Sequence, residues 1–358
     1  MESGLTRAWV DVDLGALQRN AGAIAARAGV PLLPMVKADA YGLGAVAVAR
    51  ALESIDPWGF GVATVDEGAE LRNAGITRRI VVFTALAPDD LREAHRYELT
   101  PTLSQPDSIA EWQRLGGRSW QLAIDTGMSR SGVRWDAVST LRDAIAGFPP
   151  DGAFTHFHSA DRNDGSVDAQ ESRFRTAVDA LPARPSLLHT ENGAAIEHRG
   201  RSPWQLARPG IFLYGVASGG EIKPEPVVHL RARIAELRTV KDGETVSYLA
   251  SYRAVGVRTI ATLSIGYADG LRRSLSNRGA AIVRGRVVPI AGMVTMDMTM
   301  VDVTGVPCDV GDVATLIGRD GPALLDVATV AQAADLSPYE VLTGLRSRVH
   351  RRHLDHVA

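Results

Sequence analysis

The sequence predicts an α/β protein in two parts, an N-terminal (β/α)8 TIM-like barrel and a C-terminal, mainly β domain. Eight strand-like segments alternate with amphipathic helical segments in the first part of the chain. After residues 224–226 (Pro-Glu-Pro) the pattern changes to β-type runs separated by Gly, Asp and Asn turns. We therefore assign residues 1–225 to the barrel and residues 226–358 to the β domain. A doubly wound parallel sheet fits the same alternation and stays open at this point.

The individual elements follow from the periodicity of apolar residues. A strand-like run at 9–11 precedes a helix at 14–28, and the first barrel strand is an apolar run that ends on Lys37. The other barrel strands are predicted at 58–62, 80–83, 100–103, 120–124, 153–156, 186–189 and 205–208. Helices are predicted at 45–52, 67–73, 89–97, 107–115, 136–146 and 167–180. The β domain has predicted strands at 229–240, 245–252, 257–264, 281–288, 299–303 and 313–317, and helices at 325–334 and 338–342.

Composition indicates an ordinary globular protein. Of the 358 residues, 45% are hydrophobic and 22% are charged, and the net charge is -2, which gives no electrostatic reason to expect a nucleic acid or an anionic membrane as partner. The one cysteine, Cys308, allows neither an intrachain disulfide nor a cysteine zinc site. The first residues contain no apolar signal core, and no apolar run approaches the length of a membrane span. We expect a cytoplasmic protein.

Lys37 is the first candidate for a functional residue. The chain has only three lysines, and Lys223 and Lys241 lie in polar, turn-like segments. Desolvation at the end of an apolar strand lowers the pKa of an amine and exposes a nucleophile. The alternative is a lysine whose apolar stem is buried while its charge reaches water.

Other polar residues fall at the same face of the predicted barrel. The C-terminal ends of barrel strands carry the active site, and Arg130, His156 and Arg208 follow or end the fifth, sixth and eighth strands. Small residues at 190–195 and 209–211 leave backbone N–H groups accessible to an anion. An amine, two guanidiniums and a phosphate cradle together are what a pyridoxal phosphate Schiff base needs.

Seven motifs, in order along nearly the whole chain, resemble those of the bacterial alanine racemase family, which are fold-type III pyridoxal-phosphate enzymes. They are 35–44 (MVKADAYGLG), 125–130 (DTGMSR), 155–157 (THF), 208–215 (RPGIFLYG), 246–248 (VSY), 265–270 (IGYADG) and 296–297 (MD). The resemblance implies racemisation of L- and D-alanine by a two-base mechanism, which supplies D-alanine for peptidoglycan. It also implies a homodimer whose active sites are shared between subunits.

The resemblance assigns a role to each matching residue. Lys37 and Tyr248 are the implied catalytic bases, one on each face of the substrate, with Tyr248 coming from the other subunit. Arg208 faces the pyridine nitrogen, and since a guanidinium does not readily give up a proton, the cofactor is a weaker electron sink. The implied cofactor-binding residues are Lys37, Tyr41, Arg130, His156, Asn192, Gly193, Arg208, Gly210 and Ile211. The implied substrate-binding residues are Arg130, Tyr267, Met296 and Asp297.

Two other functions stay open from the sequence. One is racemisation of a different small amino acid such as serine, and the other is a non-catalytic pyridoxal-phosphate-binding protein of amino-acid homeostasis. No metal is predicted, because His156 and His158 point to opposite faces of a strand and no third ligand is evident.

The chain also departs from the family pattern. Ala123 stands where many members have a lysine that can become carbamylated. Gly193 replaces a serine, and Ser347 stands where a tyrosine that often touches the phosphate is expected. We therefore expect the phosphate to depend more on Tyr41 and on backbone amides.

Because Ala123 cannot form a carbamate, we predict full activity in bicarbonate-free buffer. The measurement is the racemisation rate with and without added bicarbonate. A strong dependence on bicarbonate would contradict the prediction.

Overall fold

The structure is a computed structural model that describes residues 6–357. Residues 1–5, part of the N-terminal segment predicted to contain no signal core, lie outside the described residues, as does Ala358. Within the described range, no helix combines the length and the apolar character needed to cross a membrane.

The N-terminal part is a barrel of parallel strands, as predicted. Each strand pairs in parallel with the next along the chain, and a short strand, Val133–Arg134, pairs beside the fourth. The strands are Gly59–Val62, Arg79–Val82, Thr100–Leu103, Gln121–Asp125, Gly152–Phe154 and Leu187–His189.

Two irregular segments close the barrel. Backbone hydrogen bonds of 2.8–3.2 Å join residues 31–36 to residues 58–61 on one side and to residues 207–209 on the other. Residues 205–208 bond in turn to residues 188–191 at 2.9–3.0 Å. The predicted strands that end at Lys37 and Arg208 are therefore present only as isolated bridges. The prolines at 31, 34 and 209 explain this, because proline has no N–H to donate to a ladder.

Helices surround the barrel, and most lie within two residues of their predicted bounds. The first is capped by the Asp13 side chain, which accepts a hydrogen bond from the Ala16 N–H at 2.7 Å, and it ends at Gly29 in the left-handed conformation. The α-helices of this part are Leu14–Ala28, Ala45–Leu52, Val65–Asn73, Pro88–Arg96, Pro106–Arg114, Arg142–Gly147, Ser166–Asp179 and Gly193–Arg199, whereas Lys37–Gly42 is a left-handed turn.

The C-terminal part is mainly β, as predicted. Its long strand Val228–Val240 pairs antiparallel with three different strands in a sheet that has nine strands within the described residues. The other strands are Ala8–Asp13, Arg258–Leu263, Ala280–Val283, Arg286–Pro289, Thr299–Asp302, Val313–Asp320, Ala323–Leu325 and His350–Leu354, and the helices are Val327–Ala334 and Pro338–Thr343.

The N-terminal strand Ala8–Asp13 belongs to this second sheet. It pairs antiparallel with Val228–Val240 and parallel with the last strand, His350–Leu354. Its buried Asp11 accepts a hydrogen bond from Arg352 at 2.6 Å, which fixes the two ends of the chain together. The division at residue 225 stays a prediction, and the first strand lies with the β domain in space.

The predicted strand at 245–252 is wrong. The chain instead forms two short strands, Thr245–Val246 and Tyr252–Arg253, which pair antiparallel on either side of a 3-10 turn at Tyr248–Ala250. Ser247 and Leu249 have φ of 71° and 61°, which no strand accommodates. Tyr248 is therefore carried on a bent loop.

The predicted strand at 281–288 is a hairpin. Ala280–Val283 pairs antiparallel with Arg286–Pro289 across a two-residue turn. Both turn residues, Arg284 and Gly285, have positive φ (51° and 73°), the conformation that matches the twist of the flanking strands. The sequence pattern did not predict this turn, because its first position holds an arginine and not the asparagine, aspartate or glycine typical of such turns.

Lys37 opens a left-handed turn. The four residues after it, 38–41, have φ between 50° and 58°. For residues with a Cβ this conformation costs roughly 1–2 kcal/mol each. Two carboxylates stabilise the turn: Glu67 accepts from the Ala38 N–H and Asp39 from the Ala45 N–H, both at 2.7 Å. The burial of Ala40 and Tyr41 also offsets the strain.

We predict that Ala38→Gly raises the free energy of unfolding by roughly 0.5–1 kcal/mol, because glycine adopts positive φ without steric cost. Ala38 is exposed, so the change removes no core packing. Denaturant unfolding of the cofactor-free protein measures the effect. The matched control is Ala47→Gly in the right-handed helix Ala45–Leu52, which is expected to lower the free energy of unfolding by about 0.5–1 kcal/mol. A loss of stability in both variants would contradict the strain argument.

Candidate active site

A cavity of about 300 Å³ lies at the C-terminal ends of the barrel strands. It brings together the nine residues expected to bind the cofactor, whose individual roles stay predictions. They are Lys37, Tyr41, Arg130, His156, Asn192, Gly193, Arg208, Gly210 and Ile211.

Lys37 reaches the cavity from the start of the left-handed turn. Burial lowers the pKa of its amine, the nearby Arg130 guanidinium lowers it further, and Glu67 opposes both effects. A larger share of neutral amine is therefore available to act as a nucleophile or a base than for a lysine in water.

Arg208 is a buried cation at the base of the cavity, with 4% of its surface exposed. Its Nη1 donates to the backbone oxygen of His189 at 2.8 Å and to His189 Nδ1 at 2.6 Å. Its Nη2 donates to the carbonyls of Thr155 (2.7 Å) and Thr190 (3.2 Å). The Phe154 ring lies 5.1 Å from Cζ. Among the described residues Nε–H has no acceptor, so it is the donor left for a ligand.

Burial lowers the pKa of Arg208 to about 10, while Glu191 opposes the shift. The guanidinium therefore stays protonated at neutral pH. Its charge acts on its neighbour His156, which lines the same cavity. Burial, then Arg208, Arg130 and Lys37, lower the pKa of His156 to about 3. His156 is neutral at neutral pH, so the positive charge of this site resides on the arginines and not on the imidazole.

Arg130 lies in a loop that begins at Asp125. The Asp125 carboxylate accepts from the backbone N–H groups of Gly127 and Ser129, both at 3.0 Å, and Ser129 adopts a φ of 56°. The exposed Arg130 guanidinium has no hydrogen-bond partner among the described residues. Ala123 lines the cavity nearby and offers no polar group. The hydrogen bonds to Asp125 therefore hold the loop that carries Arg130, and the five donors of its guanidinium remain available for an anion.

The other end of the cavity is lined by Tyr41 and by two short helical starts, at Gly193 and Ile211. Helix starts expose backbone N–H groups, which favour a phosphate. A Cβ on Gly210 would overlap the Tyr41 hydroxyl, so glycine leaves the space that this hydroxyl occupies. The Tyr41 ring packs on Tyr214 at 4.6 Å between centroids, and burial raises the pKa of its phenol.

Tyr339 is a cavity residue that the sequence analysis missed. It lies in the helix Pro338–Thr343 of the β domain, and its ring centroid is 6.0 Å from that of Tyr41. Tyr339 therefore adds a second phenol beside Tyr41, and the expected effect of Ser347 on phosphate binding stays a prediction. A capping box from Ser337 to Glu340 predicts the helix, but nothing local marks the tyrosine as functional.

Four predicted site residues lie outside the cavity, all in the β domain. Tyr248, Tyr267 and Met296 expose 70%, 37% and 53% of their surfaces. Asp297 forms an ion pair with Arg348 at 2.7 Å. Exposed aromatic and methionine side chains on neighbouring loops are typical of a surface that another molecule covers.

Both parts of the chain match family models. The alanine racemase N-terminal domain matches residues 12–218, and the alanine racemase C-terminal domain matches residues 227–353. An alanine racemase of Deinococcus radiodurans is 39% identical to this chain over 362 residues, which cover 97% of this chain and 99% of that protein.

Solved structures of alanine racemases share the whole architecture. The Bacillus anthracis enzyme with bound L-Ala-P has a TM-score of 0.89 and 30% identity, and the match covers 99% of this chain and 96% of that one. The Bartonella henselae enzyme with covalently bound pyridoxal phosphate has a TM-score of 0.89 and 27% identity, with 98% and 100% covered.

The pKa of His156 predicts an acid-dependent loss of stability. In the unfolded chain a histidine takes up a proton below about pH 6.5, whereas folded His156 stays neutral down to about pH 3. Between these values the unfolded state binds more protons, so stability falls by up to roughly 1.4 kcal/mol per pH unit as the pH decreases. The contribution is fully present above pH 6.5. Urea unfolding of the cofactor-free protein at several pH values, compared with His156→Asn, isolates it. Equal slopes for the two proteins would contradict a buried, neutral His156.

Proposed function

The chain belongs to the alanine racemase family, and from this premise we propose how its residues interconvert L- and D-alanine. It is a pyridoxal-phosphate-dependent amino-acid racemase that acts on alanine. The observation that carries the residue assignment is the convergence of Lys37, Arg130, His156 and Arg208 on one cavity at the strand ends. In the reaction, the α-proton leaves one face of the amino acid and a proton returns to the opposite face.

The residues present fit pyridoxal 5'-phosphate. Lys37 supplies the amine for covalent attachment, the unused Nε–H of Arg208 matches an acceptor such as a ring nitrogen, and Tyr41 with the backbone at Gly210 and Ile211 matches a phosphate. When bound, the cofactor withdraws electrons from the α-carbon and so acidifies the α-hydrogen. Arg208 holds its proton because its pKa is about 10. It therefore binds its ligand by donating a hydrogen bond without transferring a proton.

We propose Lys37 and Tyr248 as the two bases. The lowered pKa of Lys37 suits proton removal near neutral pH. Tyr248 lies outside the cavity of its own chain, so it reaches a cavity only as Tyr248 of the partner subunit. A phenol is a poor base unless cationic or hydrogen-bonding groups favour its ionised form. Arg208 provides the charge, and neutral His156 provides a ring N–H.

Substrate recognition follows from the free charge of Arg130. Its guanidinium is available to a carboxylate in a bidentate geometry. Tyr267, Met296 and Asp297 of the partner subunit would complete the wall and the access route, which makes the homodimer necessary for function. The partner covers the surface that these residues expose.

Of the alternatives, the non-catalytic cofactor-binding protein is not favoured, because residues 227–353 match the alanine racemase C-terminal domain. The relatives are named for alanine, which also places serine racemisation second. We propose supply of D-alanine for peptidoglycan as the role of the reaction. The cytoplasmic location stays a prediction.

Mixed dimers test the shared site most directly. We predict that Lys37→Ala abolishes deuterium incorporation from solvent into both alanine enantiomers, and that Tyr248→Phe impairs incorporation from L-alanine most. When the two inactive variants are unfolded, mixed equally and refolded, half of the dimers pair one variant with the other. Each such dimer contains one site with both wild-type bases, so about a quarter of wild-type activity returns.

The matched control is Tyr252→Phe, four residues after Tyr248. It removes a hydroxyl that donates to the Asp302 carboxylate and is expected to leave deuterium incorporation into alanine nearly unchanged. If the mixture recovers nothing while each variant still dimerises, both bases come from one chain and the shared site is wrong. Racemisation that persists in both single variants would overturn the two-base assignment itself.

A further inference from the structure

A chain of buried polar groups runs from Arg208 away from the cavity. Arg208 Nη1 donates to His189 Nδ1 at 2.6 Å, and His189 Nε2 lies 3.1 Å from Gln121 Oε1. The three residues are 4%, 0% and 1% exposed. The Phe154 ring stacks on the imidazole at 5.2 Å between centroids, and its centroid lies 5.1 Å from the guanidinium Cζ, so one aromatic ring packs against both groups.

The hydrogen bonds determine the tautomer of His189. A guanidinium nitrogen only donates, so Nδ1 must accept and carries no proton. Burial and the charge of Arg208 hold the pKa of His189 well below its usual value, so the imidazole is neutral. Its one N–H is therefore on Nε2, and the acceptor for that N–H is the Gln121 side-chain oxygen.

The hydrogen bond to His189 leaves the other polar group of the Gln121 amide unsatisfied within the described part of the chain. With Oε1 facing the imidazole, its Nε2 is buried and has no partner among the described residues. A buried amide N–H without an acceptor is destabilising. If the Gln121 amide were turned by 180°, its NH2 group would face the imidazole N–H and both groups would lack an acceptor. A Cβ on Gly152 would overlap Gln121 Oε1, so the neighbouring strand leaves the space for this amide.

We propose that Gln121 is a positioning residue that fixes His189 as the neutral Nε2–H tautomer and thereby holds Arg208 in place for the cofactor. This rests on the proposed function of Arg208. If Nε2 lost its acceptor, the proton would move to Nδ1 and two donors would face each other at the Arg208 bond. A protonated imidazole would have the same effect. In both cases Arg208 loses a hydrogen bond that orients it.

The test compares Gln121→Glu with the matched control Gln205→Glu. Gln205 accepts from the Leu188 N–H at 3.0 Å. The control therefore adds a carboxylate beside the strand Leu187–His189 but not next to the His189 imidazole. A carboxylate at position 121 stabilises the imidazolium and raises the pKa of His189. The imidazolium forms as the pH falls through this new pKa, so the defect appears on the acid side and disappears on the alkaline side.

Three readouts are taken on the holoenzyme between pH 5.5 and 8.5. The first is 15N NMR of histidine-labelled protein, with His189 assigned by the loss of its signals in His189→Gln. The others are the visible absorbance of the bound cofactor and the pH profile of kcat. Wild type and Gln205→Glu are expected to show a pH-independent Nε2–H tautomer. Gln121→Glu is expected to show a new ionisation in all three readouts, with kcat reduced roughly tenfold at the acid end and KM changed less.

Gln121→Met, which has similar volume and no acceptor, keeps the proposal testable if the carboxylate variant does not fold. It is expected to give mixed tautomers and a lower kcat at every pH. A wild-type signal from His189 in a folded Gln121→Met protein, or a proton on Nδ1 in the wild type, would overturn the proposal. Failure of the proposed function would be distinguishable, because the wild type would then lack racemisation while the 15N result still stood.

Discussion

The site depends on a positive charge held out of water. A guanidinium that is 4% exposed is costly unless its donors are satisfied, and the ends of the barrel strands satisfy them. The carbonyls of Thr155, His189 and Thr190 point at Arg208 because parallel strands present their C-terminal ends to the same face. One Arg208 donor remains for a ligand. Burial is the main reason that His156 and His189 stay neutral, and the Arg208 charge adds to it. The neutral state of both imidazoles thus depends in part on this one buried residue.

The position of Lys37 depends on a strained stretch of backbone that follows it. The barrel segment that precedes it is interrupted by prolines, and the chain then turns left-handed for four residues. Side chains of a regular strand alternate between its two faces, whereas the turn lets both Lys37 and Tyr41 line one cavity. Strained backbone at a functional site persists when surrounding contacts determine it, and here Glu67 and Asp39 provide them.

The sequence was sufficient for the features that depend on local pattern. The (β/α)8 barrel and the β domain were predicted correctly from periodicity, and the helix at 14–28 has the predicted bounds. The nine residues predicted to bind the cofactor converge because the barrel topology places strand ends together. Features that depend on long-range contacts were not predictable. Tyr339 approaches Tyr41 only after the β domain packs on the barrel, and the turn at Tyr248 depends on a Ser247 hydroxyl that donates to the Met293 carbonyl, 46 residues away in sequence.

The pairing of the first strand has a consequence for biosynthesis. Ala8–Asp13 leaves the ribosome first, but its partners Val228–Val240 and His350–Leu354 are made much later. The barrel segments are therefore synthesised while this strand, which is buried in the folded protein, has no partner strand. An unpaired strand of this kind invites association with other chains, so the interval before the β domain is complete is the period of greatest aggregation risk. A chain truncated near residue 225 would leave this strand permanently without its native partners.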